Sequence, residues 1–357
     1  MAITEFATGD AQTVNYWSKR LYRQMLGSTL YFKKFLGTRD DSIIYQAKDL
    51  EKSAGDTVKY DLLIEMSGPG VTGDNLLVDN EEELTYYQDS IKIDQLRHAH
   101  KFGRMSQQRT VHDLRKDGMW ALSRWWGVKL ETMMFRYLCG DTTISHAQAG
   151  TAPDTGHYIV SGDVTHTGVI ATDEDNIGSN DQFKLEDIDY AKEKAQNATI
   201  PVRPVNIDGD EYYVVVLHPY SVTDMKLNLG GGTTAKWMDI QQYANVRGLK
   251  NPIFSGSLGV YNGCILFESK YIHSPVSNVR RNLLLGAQSG IFGIGNAYDK
   301  TDMMKYGKDS HVSWVEEERD YKNRKGIAAG CIFGIKKATF NSADHGTMVI
   351  SSYAAAH

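Results

Sequence analysis

The chain has 357 residues, 39 Lys and Arg against 44 Asp and Glu, and a formal net charge of −5, which argues against a protein that holds nucleic acid mainly by neutralising phosphates. The three cysteines, Cys139, Cys264 and Cys331, are odd in number and lack any CxxC spacing; this argues against a disulfide framework or a zinc or redox centre and implies reduced thiols in a cytoplasmic setting. The opening MAITEFATGD has no basic or apolar signal region and no apolar run reaches bilayer-spanning length, so a soluble, unexported protein with a sizeable core of its own is expected.

Residues 1 to about 55 carry two short helical faces, Tyr16, Trp17, Leu21, Tyr22, Met25 and Leu26, then Tyr31, Phe32, Phe35 and Leu36. Helices this short cannot bury such faces alone and must dock on the rest of the subunit or on a neighbour. From Thr57 the period changes to two: Val58, Tyr60, Leu62 and Ile64 alternate with Lys59, Asp61, Leu63 and Glu65, a strand pattern. Ser67 to Asn75 is rich in Gly, with Pro69 and Asp74, and predicts a long exposed tip. After the acidic stretch Asp79 to Glu83, a return strand reads Leu84, Tyr86, Ile91 and Ile93 and continues through His98 and His100 to Phe102. Such a ribbon is marginal alone and presents unpaired edges, so it is expected to lie on a partner.

From Ser106 to Cys139, apolar residues including Val111, Leu114, Leu122, Trp126, Leu130, Met133 and Leu138 recur at three and four, which predicts one helix of about 45 to 50 Å. Gly118 is expected to bend or weaken it, and Gly140 to stop it. Residues 140–182 read as loop with short strands. Helices are expected around Leu185–Ala195, after Pro219, and around Trp237–Val246. Strands are expected at Tyr212–Leu217, Gly259–Tyr261, Gly263–Glu268, Asn282–Gly286, Gly290–Ile294, Gly330–Ile335 and Thr347–Ser351. The fold class is α+β.

The sequence nominates no catalytic, cofactor or metal set. His98 and His100 share one strand face but lack further ligands nearby, so an edge-strand polar face is the better reading. Asp173, Glu174, Asp175 and Asn176 begin like a calcium loop, but Ile177 and Lys184 break the pattern, leaving a solvated acidic loop. Gly290, Gly293 and Gly295 have the wrong spacing for a dinucleotide turn, and Gly230 to Gly232 are not followed by a phosphate-loop Lys; both read as loops. HExxH and GxSxG are missing. Trp120, Trp125 and Trp126 lie on an amphipathic helix, where packing is expected in preference to base stacking.

The run from Gly68–Asn75 through Glu81–Leu84 to IDQLRHAH (93–100) and MSQQRTVHDLR (105–115) resembles the tailed-bacteriophage major capsid protein family, which shares its fold with encapsulin shells. YYVVVLHPYSVTDMK (212–226), FSGSLGVYNGCILFES (254–269) and NLLLGAQSGIFGIG (282–295) extend the resemblance over most of the chain. It implies an N-terminal arm (1–55), an extended loop (56–103), a peripheral domain with a spine helix (104–182), a mostly axial domain (183–334) and a return to the peripheral domain (335–357). It also implies a non-enzymatic subunit of the virion capsid, assembled in the host cytoplasm as hexamers and pentamers around a double-stranded DNA genome without sequence-specific contact. The chain shows no coiled-coil-like leader, so a separate scaffolding protein is expected, beside portal and decoration proteins and with no membrane partner. Lys59, Glu65, Asp79, Glu81, Glu82, Glu83, Arg97 and Arg104 are expected at intersubunit contacts, chosen for charge and position. The rival readings are an encapsulin-like nanocompartment and, from another class, a metal-dependent hydrolase using His98 and His100.

Overall fold

The computed structural model describes residues 31–47, 55–63, 68, 70–78, 80–84, 86–162, 167–207, 209–227, 258–295 and 312–357. The helical faces expected around Tyr16–Leu26 and Trp237–Val246, the Gly230–Gly232 turn, Glu65 and Asp79 lie outside the described residues.

In chain order, α1 (Tyr31–Phe35) leads into β1 (Leu36–Gly37) and β2 (Ile44–Ala47), and β3 (Thr57–Leu63) and β4 (Tyr86–Lys92) form the ribbon. β5 (Asp94–Gly103), α2 (Arg104–Arg109) and α3 (Leu114–Leu138) follow, then β6 (Ser145–His146), β7 (Gln148–Ala149), β8 (Tyr158–Val160) and α4 (Ile170–Asp175). Next come α5 (Glu186–Asn197), β9 (Val205–Ile207), β10 (Asp210–Leu217) and α6 (Pro219–Leu227). The last part is β11 (Val260–Tyr261), β12 (Cys264–Glu268), β13 (Val279–Leu285), β14 (Gly290–Ile294), β15 (Ser313–Arg319), β16 (Arg324–Lys337), β17 (Thr339–Phe340), β18 (Ala343–Asp344) and β19 (Thr347–Tyr353).

Two sheets share one core. The seven-stranded sheet runs β11-β12-β10-β13-β19-β8, with β9 also on β10. Its period of two sorts side chains cleanly: Val214, Val216, Leu283, Leu285 and Val349 join the core of α3, whereas Tyr213, Val215, Leu217, Leu284 and Ile350 join Ile188, Ala191 and Ala195 of α5 and Val222 and Met225 of α6. The six-stranded sheet runs β1-β2-β14-β16-β15, with β5 also on β16. Alternate β16 residues Ile327, Ala329, Cys331 and Phe333 share the core with Leu122, Trp126 and Met133 of α3. α1 docks within its own subunit, Phe32 edge-on to Phe292 at 5.0 Å and Phe35 to Phe267 at 6.1 Å.

Several sequence readings need correction. The single helix expected over 106–139 is two, because Asp113 breaks the run and caps α3 through its carboxylate, which accepts from the Arg115 and Lys116 amides. Val111, read onto an apolar helix face, is fully exposed in the gap, and α3 alone spans about 37 Å. Gly118 does not interrupt the helix. A Cβ there would meet His100 and Ile327 atoms at 3.3 and 3.4 Å, so the glycine lets α3 lie close on β5 and β16. Gly140 (φ 71°) does follow the end of α3 as expected.

The return strand is also two. β4 pairs with β3 from Tyr86 to Lys92, and β5 then leaves the ribbon to pair with β16 over ten residues, Asp94↔Phe333 to Gly103↔Arg324. Gly290 and Gly293 lie in β14, which bears out the strand expected at Gly290–Ile294 against the loop read from the glycine spacing; Cβ atoms there would meet Leu138 and Ile93 at 3.0 and 3.3 Å. Strand partnerships cross the segment boundaries implied by the resemblance: β8 and β19 belong to the sheet of β10, whereas β14, β15 and most of β16 lie beside α3.

Candidate assembly surface

The ribbon is rooted firmly and ends openly. At its base Val58 and Ile91 are buried with Ile291, Ala338 and Phe340, and Tyr60, Tyr87 and Ile93 pack alongside. Asp89 of β4 pairs with Lys336 of β16, accepts the Tyr60 hydroxyl at 2.6 Å and the Thr339 hydroxyl at 3.2 Å, and receives its neighbour's amide. Burial disfavours the Asp89 carboxylate, but bonds from Lys336, Tyr60 and the Ser90 amide outweigh it and hold the group below its usual range. Burial and the Asp89 bond together push the Tyr60 phenol far up. At the far end Leu76 (76% exposed), Leu77, Val78, Leu84 and Tyr86 face solvent. Local bonds shape the tip: Glu82 accepts the Gly68 amide at 2.8 Å, and Asn75 and Asn80 donate to Thr72 and Leu76 carbonyls. A clustered apolar surface of this kind marks an interaction site.

Of the residues chosen from sequence, Lys59 projects from β3, Glu81, Glu82 and Glu83 line the shoulder of the tip, Arg97 projects from β5 and Arg104 opens α2; all are exposed. Among the described residues Lys59, Glu81, Glu83, Arg97 and Arg104 have no ion-pair partner within the chain. They do not converge on one point; the acids lie on the ribbon and the two arginines on the body.

Sequence reasoning missed a groove on the open face of β5, β16 and β15, about 550 Å³ in volume. The registers set three rows across it: Arg97, Gly330 and Ser313; Ala99, Ala328 and Val315; Lys101, Gly326 and Glu317. Small residues of β16 thus form a floor, with Arg97 and Lys101 on one rim and Arg324 and Lys325 among the further lining residues. The alternation of Gly326, Ala328 and Gly330 with core residues was the available signal.

The histidine pair is held in packing contacts. His98 stacks on Trp125 with ring centroids 4.2 Å apart and His100 lies over Gly118, and among the described residues no group of three His, Cys, Asp or Glu side chains is placed to hold a metal. The acidic run expected to be solvated is buried at its first two residues, while Asp175 and Asn176 are exposed: Asp173 accepts the Thr167 amide and hydroxyl, and Glu174 receives Arg281 through two bonds of 2.7 and 2.8 Å and the Ser351 hydroxyl at 2.8 Å. Arg281 also donates to the Cys139 and Gly140 carbonyls at 3.1 and 2.8 Å, tying the end of α3 to α4, β13 and β19. The charges were legible, but their pairing across 107 positions was not. Burial pushes the Cys139 and Cys331 thiols up to about 12 and Cys264 to about 11, so all three stay protonated and unreactive. No helix of the described residues is long and apolar enough to cross a membrane.

Among the described residues a two-sheet body braced by a spine helix carries a rooted ribbon whose apolar tip and exposed charges are left uncovered, the surface expected of a subunit with neighbours. The comparisons name the assembly. A family model described as "Phage capsid protein" matches residues 5–356, and the chain belongs to that family as a phage major capsid protein. The major capsid protein of Pseudomonas phage KPP25 is 28% identical over 392 aligned residues, covering 99% of this chain and 98% of that one. The capsid of Ralstonia phage GP4 superposes with a TM-score of 0.74 at 28% identity over 92% of each chain. The capsid asymmetric unit of cyanophage Pam1 gives 0.74 at 20% identity over 100% of this chain and 95% of that one. The fold is that of tailed-phage capsid subunits, and the protein is a shell-forming oligomer of the virion.

Proposed function

We propose that the chain assembles in the host cytoplasm, as hexamers and pentamers, into the icosahedral head that encloses a double-stranded DNA genome, with separate scaffolding, portal and decoration proteins and no catalytic step of its own. The ribbon is the extended loop, the seven-stranded sheet serves as axial domain, and α3 with the six-stranded sheet serves as peripheral domain. The observation that carries this reading is the apolar ribbon tip exposed on a rigidly anchored base. Lys59, Glu65, Asp79, Glu81, Glu82, Glu83, Arg97 and Arg104 are assigned to intersubunit contacts, with the acidic shoulder of one copy facing basic surface of the next.

Negative-stain electron microscopy of the protein expressed with its scaffold tests the assembly. Closed particles holding nuclease-protected DNA are expected after packaging; particles filled with protein cargo would favour a nanocompartment, and a persistent monomer with scaffold present would overturn the reading. Reversing Glu81, Glu82 and Glu83 to Lys should cut particle yield at least several-fold while leaving subunit unfolding unchanged. Unaltered yield would remove the shoulder from the interface.

A further inference from the structure

The net charge of −5 hides a segregation along the chain. Residues 11–39 hold six bases, Lys19, Arg20, Arg23, Lys33, Lys34 and Arg39, and no Asp or Glu, whereas residues 60–91 hold no Lys or Arg at all. A block of one positive sign is the pattern of a segment that meets a polyanion. Its last residues are turned outward by α1. Phe32 and Phe35 are 1% and 3% exposed and fasten the helix to the core, which leaves Lys33 and Lys34 on its solvent side. Lys34 Nζ lies 5.4 Å from the centre of the Phe267 ring of β12, and Lys270, just beyond β12, places its Nζ 5.2 Å from the centre of the Tyr271 ring. Both rings pack against the core, so two ammonium groups are held at fixed places on the surface. The first acids after the block are met by a further base: Arg203 donates to the Asp40 carbonyl and pairs with Asp41 at 3.6 Å. Among the described residues no carboxylate pairs with Lys33, Lys34, Arg39 or Lys270, and all four are exposed.

We infer that the solvent face of α1, with Lys33, Lys34 and Arg39 and continued by Lys270, binds the phosphate backbone of duplex DNA and forms part of the inner wall of the head. The inference rests on the genome-enclosing shell proposed above. Duplex DNA carries one charge about every 1.7 Å of its axis, and lysines on flexible stems bind it by releasing counterions without reading a base. The acidic ribbon of a second copy fits this face less well. Its carboxylates stand among Leu76, Leu77, Val78 and Leu84, an exposed apolar set that needs apolar surface to cover it, while Phe32 and Phe35 of α1 are turned into the core. The groove of β5, β16 and β15, with Ala99, Ala328 and Val315 as its middle row, answers that need better.

The test is lysine footprinting with a small acylating reagent, read by peptide mass spectrometry, on DNA-filled heads and on closed shells that hold no DNA. Lys33, Lys34 and Lys270 should react several-fold less in filled heads than in empty shells. Binding of unassembled subunits to a duplex oligonucleotide of arbitrary sequence gives a second measurement. Replacing Lys33, Lys34 and Lys270 together with Gln should flatten the slope of log affinity against log salt by about 2.7, three phosphate contacts at about 0.9 each. Equal reactivity in filled heads and empty shells would overturn the proposal, whether the lysines are covered in both, as the ribbon of a second copy would cover them, or open in both. An unchanged slope in the triple variant would overturn it as well. Closed particles that never hold DNA would overturn the genome-enclosing reading and this proposal with it. Footprinting of the wild-type chain decides the matter even where the variant fails to fold.

Discussion

Replacing Arg281 with Met tests whether the body's rigidity depends on its buried charges. The guanidinium makes two bonds to Glu174 and two to the carbonyls that end α3, with Arg281 10% and Glu174 2% exposed. Methionine fills much of the volume but leaves a buried carboxylate whose remaining contact is the Ser351 hydroxyl, and strips two helix-end carbonyls of a donor. Breaking a buried pair from one side costs about 3–5 kcal/mol. Adding Glu174→Leu removes the stranded charge, so the double variant should recover a substantial part of that loss, leaving about 1–3 kcal/mol for the unsatisfied carbonyls. Urea unfolding of unassembled subunits, checked for coincidence by fluorescence and circular dichroism, measures both changes. An Arg281→Met variant within about 1 kcal/mol of wild type, or a double variant less stable than the single one, would refute the reasoning.

Two further outcomes follow from buried titratable groups. Burial pushes the Asp187 carboxyl up to about 6 although the Lys184 amide and Ser161 hydroxyl donate to it. The folded state therefore holds the proton more tightly than the unfolded chain, and the stabilisation, present in full below about pH 4, is lost as pH rises through 6, by about 3 kcal/mol. Asp187→Asn should abolish that loss, so the stability gap between the two proteins should change between pH 4 and 7; parallel pH profiles would count against it. The buried thiols Cys139, Cys264 and Cys331 should resist iodoacetamide in native subunits and react together on unfolding, and rapid native labelling of any one would contradict their placement.

What sequence reveals here depends on how local its cause is. β10, α5 and α6 were readable because their periodicity and the proline at the first turn of α6 act over a few residues. The break before α3 was readable in principle from Asp113, yet Val111 kept the helical spacing and masked it. β15 was missed because its face reads WVEEER, where only Trp314 is buried and the carboxylates serve long-range partners such as Arg115, which donates to Glu316. The ribbon's tip and acidic shoulder could be placed by turn chemistry. Its lower limit could not, since the departure of β5 is decided by β16, more than two hundred residues away.

The charges fall into two populations with different physical roles. Glu174 with Arg281 and Lys337 with Asp344 are paired within the chain at buried sites, and Arg136 with Asp141 and Asp89 with Lys336 at partly buried ones. Each joins elements distant in sequence or pins a turn, and losing one partner is costly there. Lys59, Glu81, Glu83, Arg97 and Arg104 are exposed, where single contacts contribute little and can be exchanged. In the proposed shell of hexamers and pentamers a subunit would meet non-equivalent neighbours, and this division suits that demand. The buried pairs keep the body constant, while the surface pairs and apolar tip can take new partners without repacking the core, so adjustment between hexamer and pentamer is expected in the ribbon beyond its Asp89 anchor and not in α3.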